Sequence, residues 1–259
     1  IVLNLGSKWY QKCFTNKKEL LNKKIIALGH EASLSGAPKL FLELLIELKK
    51  QDFEIIIFLK TGGPLLADFS ELGKVYLLDS LHKKNSKFLK LLIRFLPFYK
   101  IRDLHLKVTF SRYSPCLILN YTLVNSKLFS YLNRIKAPML TVAQEMKSVV
   151  NLFDRLQINE SKLVFDRTSY FITCSKAVKE DLVKVFKVNK NKVKVIYNSV
   201  SYYSLEGINN NNTLEQVDED FYVGMCGGPI HRKGPDLFLN TAKYINENYN
   251  NQNIKFIWQ

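Results

Sequence analysis

Short apolar runs alternate along this chain with longer stretches in which apolar positions recur every three or four residues. Strand-like runs fall at 24–29, 53–59, 75–78, 116–120, 139–143, 170–174, 193–197, 221–226 and 254–258. The clearest helical stretch, 38–50, gathers Leu40, Phe41, Leu44, Leu45 and Leu48 on one face and leaves Glu43, Glu47 and Lys50 elsewhere. Pro38 stands where a first helical turn tolerates it. Strand–helix alternation of this kind predicts a parallel sheet covered on both faces, the doubly wound α/β architecture. The pattern breaks at 201–219, where periodicity is lost around Asn209, Asn210, Asn211 and Asn212 before a fresh strand starts. The expected organisation is an N-terminal extension at 1–22, an α/β domain at 23–200, a linker at 201–219 and a second α/β domain at 220–259. That second domain reads only strand, helix, strand, which is short for a domain. Together with Ile1 at the start and the strand-like end at 254–259, it leads to the expectation of a fragment of a longer chain.

Composition narrows the class. A hydrophobic share of 47% and a charged share of 24% over 259 residues describe an ordinary globular chain, not a disordered or collagen-like one. Cys13, Cys116, Cys174 and Cys226 form no C-x-x-C pair, so free thiols in a reducing cytosol are expected. No His/Cys/Asp cluster has ligand spacing, and no bound metal is expected. The charge is less ordinary: 38 basic residues against 23 acids give +15, which points to an anionic partner.

Two loops carry candidate chemistry. The first strand runs into GHEASLSGAP (29–38) and then a helix, so Ser35, Gly36 and Ala37 let backbone N–H groups approach a phosphate at the helix's positive end. The pattern is neither G-x-G-x-x-G nor G-x-x-x-x-G-K-[ST], which counts against a nicotinamide dehydrogenase and a phosphate-loop NTPase. A tight turn with no ligand fits these residues equally well. The second loop, CGGPIHRKGP (226–235), puts Gly227, Gly228, His231, Arg232 and Lys233 between a strand and a helix. Two cations there suit a diphosphate leaving group, and a solvated basic turn is the alternative.

In order along the chain, GHEASLSGAPKLFLELLIEL (29–48), TGGPLLADFSELGKV (61–75), LILNYT (117–122), APMLTVAQE (137–145), YFITCSKAVKEDL (170–182), VKVIYNSV (193–200) and HRKGPDLFL (231–239) resemble the glycosyltransferase group 1 family (family 4). The resemblance implies a GT-B-like fold, two Rossmann-like doubly wound domains facing a cleft. It also implies transfer of a sugar, with retention, from a nucleotide-diphospho-sugar to a glycan or lipid-linked acceptor, with no resident cofactor. Gly36 matches the family's N-domain glycine near the donor phosphates, with Ser35 beside it. Lys233 matches its diphosphate-binding lysine, with Arg232 beside it. The arginine usual five residues earlier is replaced by Gly228. Where the family often has His-Glu, this chain has Gln144 and Glu145, its candidate catalytic pair. Gln144 can hydrogen-bond a sugar hydroxyl but cannot shuttle a proton. The family's two-glutamate motif is expected beyond Gln259, so these 259 residues alone are expected to show little or no transfer.

The segment 81–107 holds eight cations against one acid, about half the chain's excess. Lys83, Lys87, Lys90 and Arg94 line one helical stripe, largely away from Phe88, Leu91, Leu92 and Phe95. Two readings stand: a core-packing helix with a solvated basic face, and a helix lying on an anionic membrane. The second places an otherwise cytoplasmic protein peripherally on the inner membrane face. Two alternatives to the enzyme reading are a non-catalytic relative, motivated by Gln144 and Gly228, and a basic nucleic-acid-binding protein. The latter predicts aromatic-interleaved basic stretches or a recognised motif, and neither is present, so nucleic acid is not an expected partner.

Overall fold

Every strand-like run of the sequence forms a strand in the computed structural model, with ends shifted by a residue or two. Described are residues 23–78, 113–125, 132, 135–156, 160–198, 220–249 and 253–259. The extension 1–22, the linker 201–219 and the basic stripe of Lys83, Lys87, Lys90 and Arg94 lie outside them. The chain divides into two units, Ile1–Val200 and Ser201–Gln259.

In the first unit, β1 (Lys24–Gly29), β2 (Glu54–Leu59), β3 (Lys74–Leu77), β4 (Leu117–Asn120), β5 (Met139–Ala143), β6 (Tyr170–Thr173) and β7 (Val193–Val195) form a parallel sheet in the order β3-β2-β1-β4-β5-β6-β7. Alternate residues of a strand point to opposite faces, and here both faces are buried. Ile25, Ala27, Ile55, Ile57, Leu117 and Leu119 pack on one side with Phe41, Leu44, Leu45 and Leu48 of α1 (Gly36–Lys50) and Phe69 of α2 (Leu66–Leu72). Ile26, Leu28, Ile56, Ile118, Met139 and Phe171 pack on the other. Their partners are Val150 of α3 (Lys147–Leu156), Val164 of α4 (Glu160–Arg167) and Val178 of α5 (Lys176–Glu180). A continuous apolar run such as KIIALG is what a strand buried on both faces requires.

The apolar stripe on α1 is the one the sequence predicts, and Lys49 and Lys50 in its last turn complement the helix dipole. The helix stops where Asp52 turns left-handed (φ 62°) and the Phe53 N–H returns to Leu48 O at 3.2 Å. Close packing of β1 on α1 needs Gly29, because a Cβ there would sit 2.6 Å from the Phe41 ring. At Gly73 a Cβ would collide with the Ile55 carbonyl oxygen.

The second unit joins β8 (Phe221–Met225) to a parallel β9 (Ile254–Trp258) through α6 (Pro235–Asn248). Phe238 packs edge-on against Phe256 and Trp258, each at 5.6 Å. Trp258 also donates its Nε1–H to Gly227 O at 2.7 Å, tying the end of β9 to the exit of β8.

Two glycines give opposite expectations for the first unit. Gly73→Ala forces backbone to move and is expected to lower the unfolding free energy by about 1–3 kcal/mol. Gly36→Ala meets nothing within 4 Å and is expected to change it by less than about 0.5 kcal/mol. Urea denaturation of both variants checks the contrast.

Candidate functional site

The strand order reverses at β1. The chain steps outward through β2 and β3, then crosses back to lay β4 on the other side of β1. In open α/β sheets the loops at such a switch point diverge and leave a crevice at the strands' carboxyl ends. Ser35 and Gly36 after β1, the 121–125 loop after β4, and Gln144 and Glu145 after β5 all lie at that edge.

The loop after β1 is fixed by its neighbour. His30 O accepts from Lys60 N (2.9 Å) and Thr61 N (3.1 Å), and Ala32 O accepts from Leu65 N (2.9 Å). Gly63 allows this approach, since a Cβ there would run into the Ala32 carbonyl. Beyond it, Ser33 Oγ donates to Glu31 Oε1 at 2.7 Å, which leaves Ser35 as donor in the 2.9 Å contact between the two serine hydroxyls. The Ser35 side chain therefore does not cap α1, whose first turn also lacks an acid. Gly36 and Ala37 are exposed and Pro38 has no N–H, so the helix start offers two backbone donors at its positive end.

The loop after β4 is built around Glu145. The Thr122 hydroxyl donates to Oε1, while the N–H groups of Leu123 and Gln144 donate to Oε2, each at 3.1 Å. Both carboxylate oxygens thus hold the 121–125 loop against the end of β5. Gln144, half-buried, donates its Nε2–H to the Tyr121 hydroxyl at 2.7 Å. Tyr121 rests on Phe41 with ring centroids 4.9 Å apart. Burial raises its pKa well above the usual phenol range, with the Gln144 hydrogen bond acting in the opposite sense. Tyr121 is therefore a neutral phenol that accepts from Gln144 and retains its own O–H as a donor.

Beneath the loop runs a buried polar chain. Asn120 Nδ2 donates to Thr122 O (2.7 Å) and to Thr141 Oγ1 (3.3 Å). Thr168 gives its proton to Val164 O at 2.6 Å, so Thr141 must donate to Thr168 across their 2.7 Å contact. Asn125 Nδ2 closes the set on Asn120 Oδ1 at 3.3 Å. The sequence reading missed Asn120, Tyr121 and Thr122 as a group. Their signal was the switch from apolar LIL to polar NYT at a strand's end.

In the second unit, Gly227 (φ 141°) and Gly234 (φ 70°) bracket a single 3-10 turn, His231–Lys233, that leads into α6 at Pro235. Gly227 is open enough for the Lys233 stem to lie over it, with Cδ and Cε 3.8 Å from where a Cβ would be. Gly228 has nothing within 4 Å, and Arg232 lies in the same turn. Asp236 in the first turn of α6 puts a carboxylate near that helix start. The structure thus pairs Ser35 with Gly36 and Gln144 with Glu145 at one sheet edge. It groups Gly228, Arg232 and Lys233 in a separate loop of the other unit. Among the described residues no group of three His, Cys, Asp or Glu side chains could hold a metal ion.

Replacing Glu145 by Gln turns one acceptor into a donor facing N–H groups and is expected to cost about 1.5–3 kcal/mol, measurable by urea denaturation. The thiols give a second expectation. Cys226 is exposed, Cys116 is buried, and burial raises the Cys174 pKa. A raised pKa leaves less thiolate at a given pH, so iodoacetamide is expected to label Cys226 first, Cys174 more slowly and increasingly as pH rises, and Cys116 only on unfolding. Mass spectrometry of timed aliquots reads the order.

No family model matches the chain, and no curated protein matches it. Solved structures do. HepE of Anabaena in complex with UDP and glucose superposes with a TM-score of 0.56 at 14% identity, over 90% of this chain and 68% of that one. A glycosyltransferase of Rickettsia africae gives 0.52 at 16% identity, over 91% and 68%. The UDP-GlcNAc 2-epimerase of Neisseria meningitidis bound to UDP-GlcNAc gives 0.53 at 12% identity, over 91% and 65%. At these identities the likeness is one of fold: a mostly parallel α/β chain of the GT-B, Rossmann-like class, shared by glycosyltransferases and UDP-GlcNAc 2-epimerases.

Proposed function

We propose that this chain acts in a retaining glycosyltransferase that moves a sugar from a nucleotide-diphospho-sugar to a glycan or lipid-linked acceptor. The observation that carries the proposal is the switch point between β1 and β4, where an uncapped helix start and the Tyr121–Gln144 pair share one sheet edge. The fold neighbours that hold UDP, UDP-glucose or UDP-GlcNAc support a nucleotide-sugar as ligand.

In this reading the free amides of Gly36 and Ala37, with Ser35, are donors to phosphate oxygens. Gly228, Arg232 and Lys233 form the basic grip on the diphosphate. The bond from the anomeric carbon to the diphosphate breaks, negative charge develops on the departing oxygens, and the fixed Lys233 cation stabilises it. The acceptor hydroxyl forms the new bond and its proton passes to a departing phosphate oxygen. Gln144 and Tyr121, both neutral, hold hydroxyl groups of the sugar or the acceptor. Glu145 keeps its place in the loop and takes no proton. No resident cofactor enters the scheme. Among the described residues no helix is long and apolar enough to cross a membrane. Contact with an anionic membrane through Lys83, Lys87, Lys90 and Arg94 belongs to the proposal.

Thermal unfolding of the full-length protein with UDP- and GDP-sugars is the first test. A specific donor at about 100 times its Kd is expected to stabilise by about 2.7 kcal/mol. With that donor, Lys233→Ala is expected to slow transfer by about ten- to a thousandfold. A Lys233→Ala enzyme with unchanged rate overturns the assignment, and release of an epimerised nucleotide-sugar in place of a transfer product assigns the fold's other chemistry.

A further inference from the structure

At the β7 end of the first unit, a surface depression of about 440 Å³ is lined by Lys176, Lys179, Lys184, Lys190 and one acid, Glu180, around Val183 and Val195. Local geometry brings these residues together from both sides of a turn. The helix α5 widens into a π turn over Asp181–Val185, a form frequent at functional sites. Lys187 then takes a left-handed conformation (φ 57°), which is unusual without a glycine. Asn189 Oδ1 accepts from Asn191 N at 2.9 Å and starts the 3-10 turn Lys190–Lys192. Lys190 thereby faces the same depression as Lys176 and Lys179.

The charges there are not balanced within the fold. The nearby acids are already engaged: Glu180 pairs with Lys184 at 2.9 Å, and Asp181 Oδ2 accepts from Lys147 N at 2.9 Å. Among the described residues Lys176, Lys179 and Lys190 make no ion pair. Lysines on an edge strand commonly guard it against pairing, and Lys194 of β7 is placed for that. Lys176 and Lys179 lie on a helix and guard no edge. Lys179 is half-buried, and Val183 and Val195 form the apolar part of the depression's lining.

We propose that this depression is a binding site for a ligand carrying two or more phosphate charges. Each ammonium is a compact charge with three donors and suits tetrahedral phosphate oxygens. The volume falls within the ordinary range of small-molecule sites, about 300–1,000 Å³. The site is independent of the sugar-transfer reading, because none of its residues enters that scheme.

The experiment uses the full-length protein, tripolyphosphate and isothermal calorimetry at about 0.15 M salt. At this site the variant Lys176→Gln/Lys179→Gln/Lys190→Gln is expected to bind more than about tenfold more weakly, with any tripolyphosphate held by Arg232 and Lys233 unchanged. A control with equal charge loss, Lys49→Gln/Lys136→Gln/Lys162→Gln, is expected to stay within about twofold. In the unmutated protein, tripolyphosphate is expected to shield Lys176, Lys179 and Lys190 from amine acylation more than the control lysines, a readout that needs no variant to fold. Equal weakening of both variants, uniform shielding, or no binding by the unmutated protein overturns the proposal. Sedimentation with phosphatidylglycerol or phosphatidylcholine vesicles separates the sources. Anionic-vesicle binding that requires the same three lysines assigns a lipid headgroup, and tripolyphosphate binding without it assigns a free phosphorylated ligand.

Discussion

The structure of the first unit depends on one constraint: β1 is a parallel strand buried on both faces and flanked by β2 and β4. Parallel neighbours require crossovers, and a strand covered on both sides requires those crossovers on opposite faces. With α1 on one face and α3, α4 and α5 on the other, no helix among the described residues lies across the carboxyl ends of β1 and β4. The sequence must put there what the burial of β1 forbids elsewhere. Gly29 lets α1 approach, Ser35 and Gly36 keep the helix start small, and polar residues begin immediately after LIL in β4.

That edge contains a division between a carboxylate that holds the loop and a neutral hydrogen-bonded pair beside it. Glu145 is the holding group, with three protein donors on its two oxygens. A carboxylate so engaged would have to abandon the 121–125 loop to act as a base. Beside it the half-buried Gln144 is hydrogen-bonded to the buried Tyr121, and neither exchanges a proton near neutral pH. An edge built this way offers neutral hydrogen-bonding groups, and under the transferase reading it leaves acid–base work to the reactants.

The strands and the stripe on α1 were legible in the sequence because each is a local periodicity enforced by burial. The core residues Leu44, Leu45 and Leu48 needed only the 3.6-residue repeat. The role of Glu145 was not legible. It was placed by resemblance among catalytic residues, yet its partners Thr122 and Leu123 lie more than twenty positions away and meet it only because β4 pairs with β5. The lysine cluster was hidden for a related reason. YFITCSKAVKEDL reads as a strand and a helix, and nothing in it announces the π turn or the left-handed Lys187 that bring Lys190 alongside.

The chain's excess charge also changes meaning once it has addresses. A net +15 points to anions without saying where they bind. The stretches 30–35, 121–125 and 144–146 that directly follow β1, β4 and β5 contain no lysine or arginine, and they include the carboxylates of Glu31 and Glu145. In isolation the first unit's edge therefore offers neutral donors and a helix dipole, which select hydroxyls and phosphate oxygens by geometry more than by charge. The cationic positions Arg232 and Lys233 belong to the second unit's glycine loop, and others line α5 and the turn before β7. Departing diphosphate charge needs a stabilising cation, and under the transferase reading that requirement falls on Lys233. The α5–β7 lysines have no part in that reading, and it is that surplus which makes a second anion site the economical explanation of their arrangement.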